Sequence, residues 1–546
     1  MRQVHGGTAL YAVVIAVWAA SVMVWILPGY VRPDGAGYAA YLPSAWFDHD
    51  LLLFDEWSRF GLIRGDAIAF TNVTPNGHLS DHWTVGPAVV WFPSFAAAAV
   101  AHDALPMLRG FPRDGVSLPY AIAVAVTSAM AGLATLLIGT SIATASFGAF
   151  DAGLAALAVW FGSPLLWYAT RHASMAHAVS AAACAVVVAV ALSLRRRMSW
   201  SRVFAAGLAC GIAFMVRPQN LTFVLVPPIV AGFLPLLRRS WIAAIGFAIG
   251  TLPELVVSQV IYGSPIAFAS SGGANDWHSF ERIRLWLPLG SWYHGMFPWT
   301  PLLAAALAGL VLLWWDDRRL ATAGLVTFVL QWLIIAAYDR SFWGMLAFGQ
   351  RRFDQCSIFF LVGLATLFTR LPRMVAIVIA AIGAGWTMLL FLAAPHLNLN
   401  AYIPPRTLWR AAMLTLQRDR IFVVLQSVAP PERTAALVVM LLVIATVSIL
   451  TALAVWTDAP VVVAVYLVGI SAFLAWCGSH DGERSLAYRS LLEANRRGSA
   501  RDGHALDYLG LLRRERDYFR AVGNTEEAAS SQREAEAFAR AHGFAQ

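Results

Sequence analysis

Lysine is absent from this chain, so all 39 basic residues are arginine. A codon bias accounts for that without any functional cause, and the absence assigns no activity. Charge of either sign is scarce: 13% of the 546 residues are charged and 59% are hydrophobic, whereas a soluble globular domain carries about 25% charged residues. A soluble globule is excluded, and a polytopic membrane protein is indicated. Cysteine is almost missing. Cys184, Cys210, Cys356 and Cys477 lie far apart in or beside apolar stretches, without CxxC spacing, which excludes a disulfide framework and a cysteine zinc site. No HExxH pairing occurs among the 13 histidines, so zinc chemistry has no sequence support. The formal net charge is +8, but much of the excess sits in short arginine clusters between apolar runs, where it orients a membrane protein. Nucleic acid is therefore not an expected partner.

What the chain has in abundance is long apolar runs. They recur at 8–28, 119–142, 151–169, 175–194, 203–216, 219–237, 241–260, 298–315, 320–338, 353–369, 372–392, 434–456 and 460–477, and predict an all-α bundle of about 13 transmembrane helices. The first run lacks a small-residue cleavage site before Gly29 and reads as a retained span. Arg195-Arg196-Arg197 with Arg202, Arg238-Arg239, Arg318-Arg319, and Arg370 with Arg373 all fall on one side. By the positive-inside rule that side is cytoplasmic. The stretch from Val85 to Ala104 contains Pro87 and Pro93, and counting it as a span would invert the charge rule, so it is expected to lie in or dip into the outer interface. Residues 1–477 form the membrane module, with a first outer loop at 29–118 carrying juxtamembrane helices. The charged tail, 478–546, predicts a small soluble helical hairpin, able to recruit a protein partner.

Loops of that length are often functional. Just past the first run stands Arg32-Pro33-Asp34-Gly35-Ala36-Gly37-Tyr38, followed by Asp48-His49-Asp50 and Asp55-Glu56. Asp34 has two readings: the helix-capping or turn-closing aspartate that is the ordinary fate of a Pro-Asp-Gly sequence, or a carboxylate base beside the bilayer, held by Pro and Gly turns rather than by a helix. Asp48, Asp50, Asp55 and Glu56 read as groups that orient an acceptor or bind a divalent ion, and Asp48-His49-Asp50 reads equally as a solvated helix start. Nine histidines, including His82, His172, His177, His278 and His294, fall on the same outer side, as do Arg171, Arg217, Arg282, Arg284, Arg351 and Arg352. A guanidinium near the bilayer either snorkels to headgroups or grips the phosphate of a lipid. Arg217 stands out because Val216-Arg217-Pro218-Gln219 is a very short turn between two short runs. Outer tryptophans such as Trp83, Trp277, Trp286 and Trp343 read mainly as an interface belt.

The order of these segments resembles the GT-C superfamily of integral-membrane glycosyltransferases, which includes the protein O-mannosyltransferases and the lipid A aminoarabinose transferases. The resemblance runs through Pro33-Asp34-Gly35-Ala36-Gly37-Tyr38, His82-Trp83-Thr84-Val85-Gly86-Pro87, Met175-Ala176-His177, Arg217-Pro218, His294-Gly295-Met296-Phe297-Pro298 and Phe348-Gly349-Gln350-Arg351-Arg352. It covers the chain from Asp34 to about Phe353; everything after 370 rests on hydropathy. It implies a transferase of the bacterial inner membrane, active on the outer side, that moves a sugar from a polyprenyl-phosphate donor to a glycan, lipid or protein acceptor with inversion. Asp34 would be the base. Tyr38, Asp55, Glu56 and His82 would meet the sugar or acceptor, and Arg171, His177, Arg217, His294, Arg351 and Arg352 the donor phosphate. No cofactor is implied. Many members carry a second acidic residue between the third and fourth spans, where this chain reads Arg171-His172-Ala173-Ser174, and no metal is expected.

Two other classes compete. A transporter or flippase of lipid-linked or anionic solutes would show internal repeats and polar groups at mid-span; no repeat is found, and Glu254 is the main acid within a run. A scaffold role would leave the outer motifs without a common site.

Overall fold

The computed structural model describes residues 2–31, 33–60, 78–266, 283–337, 347–399, 404–417, 430–456 and 459–479, with Thr74, Asn76 and parts of 509–544. An apolar run in hydrocarbon must satisfy its own backbone, and only helix does so within one segment. Among the described residues the structure is helical accordingly, without strands. The helices are α1 Arg2–Trp25, α2 Asp34–Pro43, α3 Phe54–Arg59, α4 Gly86–Ala104, α5 Leu118–Ser146, α6 Ala149–Gly162, α7 Leu165–Thr170, α8 His177–Arg196, α9 Trp200–Val216, α10 Val226–Ala231, α11 Phe233–Leu237 and α12 Ser240–Tyr262. They continue as α13 Leu302–Leu312, α14 Arg318–Ala336, α15 Ser357–Thr369, α16 Arg373–Ala393, α17 Pro405–Gln417, α18 Pro430–Trp456, α19 Ala459–Ser479 and α20 Thr525–Ala541.

Seven of these, α5, α8, α12, α14, α16 with the turn that follows it, α18 and α19, are long and apolar enough to cross a membrane by length and composition. Shorter apolar helices occupy Ala9–Trp25, Ala149–Gly162, Trp200–Val216, Pro218–Ala231 and Leu302–Trp315. The stretch after Val85 is helical as expected, forming α4, which is buried against α2, α5 and α18.

α5, 29 residues and about 44 Å long, is the central post, packed against α4, α6, α7, α8, α15 and α18. Polar ties lock it to its neighbours: Trp91 Nε1 donates to Ser128 Oγ at 2.9 Å and Trp18 Nε1 to the Ala129 carbonyl at 2.9 Å. Helices α9 and α12 pack backbone to backbone, and their sequence shows why. Gly207 and Gly211 on α9 face Gly246 and Gly250 on α12; a methyl carbon at Gly207 would collide with the Ala243 carbonyl, and one at Gly246 with the Phe204 carbonyl. Without those side chains the two backbones touch; α9 itself ends where Arg217, ahead of Pro218, turns to extended backbone.

Two expectations need correction. Asp34 is not held by turns, because it is the first residue of helix α2. Asp48-His49-Asp50 is not a solvated helix start: a π-helical turn, Ser44–Asp48, ends at His49 in the left-handed region (φ 57°), and Asp50 is buried, accepting from Ser44 Oγ at 3.0 Å. In the tail, α20 agrees with the predicted second helix, with Ala535 and Ala539 against Leu509 and Leu512.

Candidate active site

The segment Gly35-Ala36-Gly37 has little helix propensity of its own, so α2 depends on its surroundings. A Cβ at Gly35 would collide with the Ser174 side chain, and one at Gly37 with the Trp83 indole. The helix therefore lies in a slot that only glycine fits, between the loop after α7 and Trp83. Val31 N–H donates to Ser174 Oγ at 2.9 Å, fixing the chain just before it. Trp83 is positioned from behind: Thr84 Oγ1 donates to the Val216 carbonyl at 3.0 Å, and Val85 N–H to Glu254 Oε2 at 2.8 Å. The His82–Pro87 motif thus joins α2 to the ends of α9 and α12.

At the head of α2, where the helix dipole favours an anion, Asp34 Oδ2 accepts a hydrogen bond from the Arg351 guanidinium at 3.0 Å, across 317 residues of sequence. The two side chains are 28% and 14% exposed, so the pair is largely shielded but not sealed. Arg351 is held by its own loop. Gly349 takes φ 59°, Phe348 N–H donates to Tyr168 Oη at 2.9 Å, and the Phe348 ring stacks on Trp167 at 4.8 Å. Burial works against the Arg351 charge, but Asp34, Tyr168 and Tyr38 outweigh it and hold its pKa above the ordinary value.

Arg217 follows α9 in extended conformation and donates to His177 Nδ1 at 3.0 Å and to Gln219 Oε1 at 3.1 Å. Because a guanidinium only donates, His177 Nδ1 is an acceptor here. Asp354 Oδ2 lies 3.7 Å from the same nitrogen. Behind these groups is a buried amide cluster: Gln219 Nε2 donates to the Arg352 carbonyl at 3.1 Å, Gln331 Nε2 to the Gln219 carbonyl at 2.8 Å, and Gln355 Nε2 to Gln331 Oε1 at 2.8 Å. It ties the turn after α9, helix α14 and the Arg351–Cys356 turn into one wall.

Tyr38, one turn after Asp34, is pushed up to about 12 by burial, opposed by Arg217 and reinforced by Asp34; its hydroxyl stands in the field of both groups. Arg171 is buried with its guanidinium 5.6 Å above the Phe391 ring, and burial pulls its pKa down to about 10. Arg352 is buried beside Arg351. His294 is buried at φ 60°, stacked on Trp299 at 4.5 Å, with Nε2 bonded to the Leu399 carbonyl. Thus Asp34, Tyr38, Arg351, Arg217 and His177 come together, whereas Glu56 is fully buried in α3 and His82 lies against Trp83 at 3.7 Å. The Asp55 side chain, His278, Arg282, Trp277 and Trp343 lie outside the described residues. A cavity of about 300 Å³ opens between Gly29, Tyr30, Arg59 and Leu118; Asp34 is not part of its lining.

Two histidines near this site carry a pH signature. His172 is pushed down to about 4 by burial and by Arg351, and His294 to about 4 by burial. An unfolded histidine titrates near 6.5, so between those values the unfolded chain takes up protons that the folded one refuses. Stability is full above that window and is lost as pH falls from about 6.5 towards 4. Thermal unfolding of detergent-solubilised protein should show a midpoint that drops through this range, and more shallowly in His294→Gln. An identical slope in the variant would remove that histidine as a source.

Sequence reasoning passed over Gln331, Gln355 and Asp354. A signal for the first existed, since Gln331 is an amide in the middle of the run 320–338 and polar groups there are seldom idle. Asp354 opens the run 353–369, so Glu254 is not the only notable acid in such a stretch.

No family model and no curated relative matches the chain. Among solved structures, the chain is similar to ArnT from Cupriavidus metallidurans bound to undecaprenyl phosphate, at 17% identity and a TM-score of 0.46, covering 89% of this chain and 79% of that one. ArnT from the same organism in the apo state matches at 16% identity and a TM-score of 0.45, covering 87% and 76%. Both are distant likenesses.

Proposed function

We propose that this protein is a membrane glycosyltransferase that takes a sugar from a polyprenyl-phosphate donor and passes it to an acceptor hydroxyl on the outer side of the membrane, with Asp34 as the base. The observation that carries the reading is the Asp34–Arg351 pair at 3.0 Å, shielded, flanked by Tyr38 and backed by Arg217. A base for the acceptor and a cation for the leaving phosphate must stand on either side of one anomeric carbon; here the two are neighbours that pair with each other at rest and part to admit the sugar.

In the reaction, the acceptor oxygen forms its bond to the anomeric carbon as the bond from that carbon to the phosphate oxygen breaks. The electron pair leaves with the phosphate, and the acceptor proton passes to Asp34. Arg351 answers both ends: paired with Asp34 at rest, it turns its fork to the phosphate as negative charge gathers there, freeing the carboxylate to receive the hydroxyl. Arg217, held by His177 and Gln219, adds a second cation. Displacement from the face opposite the phosphate inverts the sugar carbon.

The transporter alternative has its firmest footing in Glu254, but that carboxylate accepts from the Val85 N–H at the head of α4, which is a structural use. Purified protein incubated with labelled polyprenyl-phosphate sugars and membrane extract should release polyprenyl phosphate and label an acceptor. Release with none of the common donor sugars would remove the transferase reading.

A further inference from the structure

The 17 residues of α9 span about 25 Å, so Trp200, at the start of that helix, stands at the opposite end of the bundle from Arg217 and Asp34. A cavity of about 400 Å³ opens there, lined by Trp200, Leu234, Pro235, Arg238 and Arg239. Its shape comes from a break in the chain: α10 stops at Gly232 (φ 111°), and the short α11 turns away before α12 begins. The Arg239 guanidinium sits 5.5 Å over the Trp200 ring, and Trp241 lies 5.9 Å from Trp200.

Three features together define a ligand. Among the described residues neither Arg238 nor Arg239 forms an ion pair, whereas at the same end Arg195 and Arg370 are matched by Asp317 at 2.6 Å and Asp316 at 2.5 Å. Arg239 Nη1 donates to the Pro235 carbonyl at 3.4 Å, but no described carboxylate balances the positive charge in the cavity, and the first N–H groups of the 23-residue α12 start beside it, adding to the attraction for an anion. Phe233, Leu234 and Leu237 are each more than half exposed next to the cavity, an apolar wall that a free inorganic anion would leave uncovered. Trp200 and Trp241, also more than half exposed, are amphipathic rings of the kind that mark headgroup level.

We propose that this cavity binds the headgroup of an anionic glycerophospholipid in the leaflet opposite Asp34. The lipid phosphate lies against Arg238 and Arg239, and the acyl chains run along Phe233, Leu234 and Leu237. A zwitterionic lipid is disfavoured because its ammonium group would meet two guanidinium groups and no carboxylate.

The full chain, purified in detergent and delipidated, is titrated with phosphatidylglycerol, phosphatidylcholine or inorganic phosphate, and the first bound lipid is followed by native mass spectrometry. Phosphatidylglycerol should bind more tightly than phosphatidylcholine, and Arg238→Gln/Arg239→Gln should weaken it by roughly 10- to 30-fold. Arg196→Gln/Arg197→Gln, which removes two charges at the same end outside the cavity lining, should leave it unchanged. Equal affinity for phosphatidylcholine, unchanged affinity in the Arg238/Arg239 variant, or full displacement of the lipid by millimolar phosphate would each overturn the assignment. If the double variant does not fold, Arg238→Gln and Trp200→Ala are measured singly, and undiminished binding in both overturns it as well.

Discussion

Asp34→Asn is expected to lower sugar transfer by about 10²- to 10⁴-fold, the contribution of a positioned general base, while expression and donor binding stay near wild type. Asparagine keeps the shape of the side chain, and its carbonyl oxygen can still accept the Arg351 hydrogen bond made at 3.0 Å. The clamps on α2, Ser174 against Gly35 and Trp83 against Gly37, are untouched. What disappears is the capacity to take a proton. Transfer of label from donor to acceptor in membranes of matched protein content measures the rate, and retention of the labelled donor measures binding. Full activity in this variant would leave the carboxylate as a helix-terminal anchor for Arg351 and remove it from the chemistry.

Arg351→Gln tests the other half of the pair and should cost about 10²- to 10³-fold in rate, the loss typical when one preorganised donor to a developing anion is removed. Arg351→Lys should recover part of this, because charge returns without the planar fork. The informative case is Asp34→Asn/Arg351→Gln. If one guanidinium serves the carboxylate and the phosphate in turn, the double variant should lose much less than the product of the single losses, since residues that act as a unit are non-additive. A purely multiplicative result would show that the two act independently. Stability must be followed in parallel. Removing one member of a fully buried pair costs about 3–5 kcal/mol, and with Asp34 28% exposed the cost here should be nearer 1–3 kcal/mol by the same principle, visible as a lower unfolding midpoint but not as loss of the protein.

Much of this architecture was legible before any coordinates. Long apolar runs in a chain with 13% charged residues have one way to satisfy their backbone, and they are helices in the structure. Asp34, just outside the first run, and Arg217, in its short turn, stand out in the sequence because a charge beside hydrocarbon is costly and seldom idle. The helical state of residues 34–43 was not legible, because Gly35, Gly37 and Pro43 argue locally against helix and the decision comes from Ser174 and Trp83, far away in sequence. Gln331 and Gln355 were passed over for a related reason. A single amide in an apolar run looks tolerable until its partners, Gln219 and the Arg352 carbonyl, are seen facing it.

Composition and hydropathy therefore determined by themselves that this is a helical membrane protein, roughly where its helices lie, and which polar segments stand outside them, since each of those facts follows from transferring a local segment between water and hydrocarbon. Only the tertiary structure decided that Asp34 meets Arg351, that Arg217 and Asp354 both approach His177 Nδ1, and that Arg238 and Arg239 share a cavity with Trp200. Pairings of that kind depend on how helices cross, here through the glycine contact of α9 with α12 and the slot around α2. No local property of the chain encodes the distance between residues 317 positions apart.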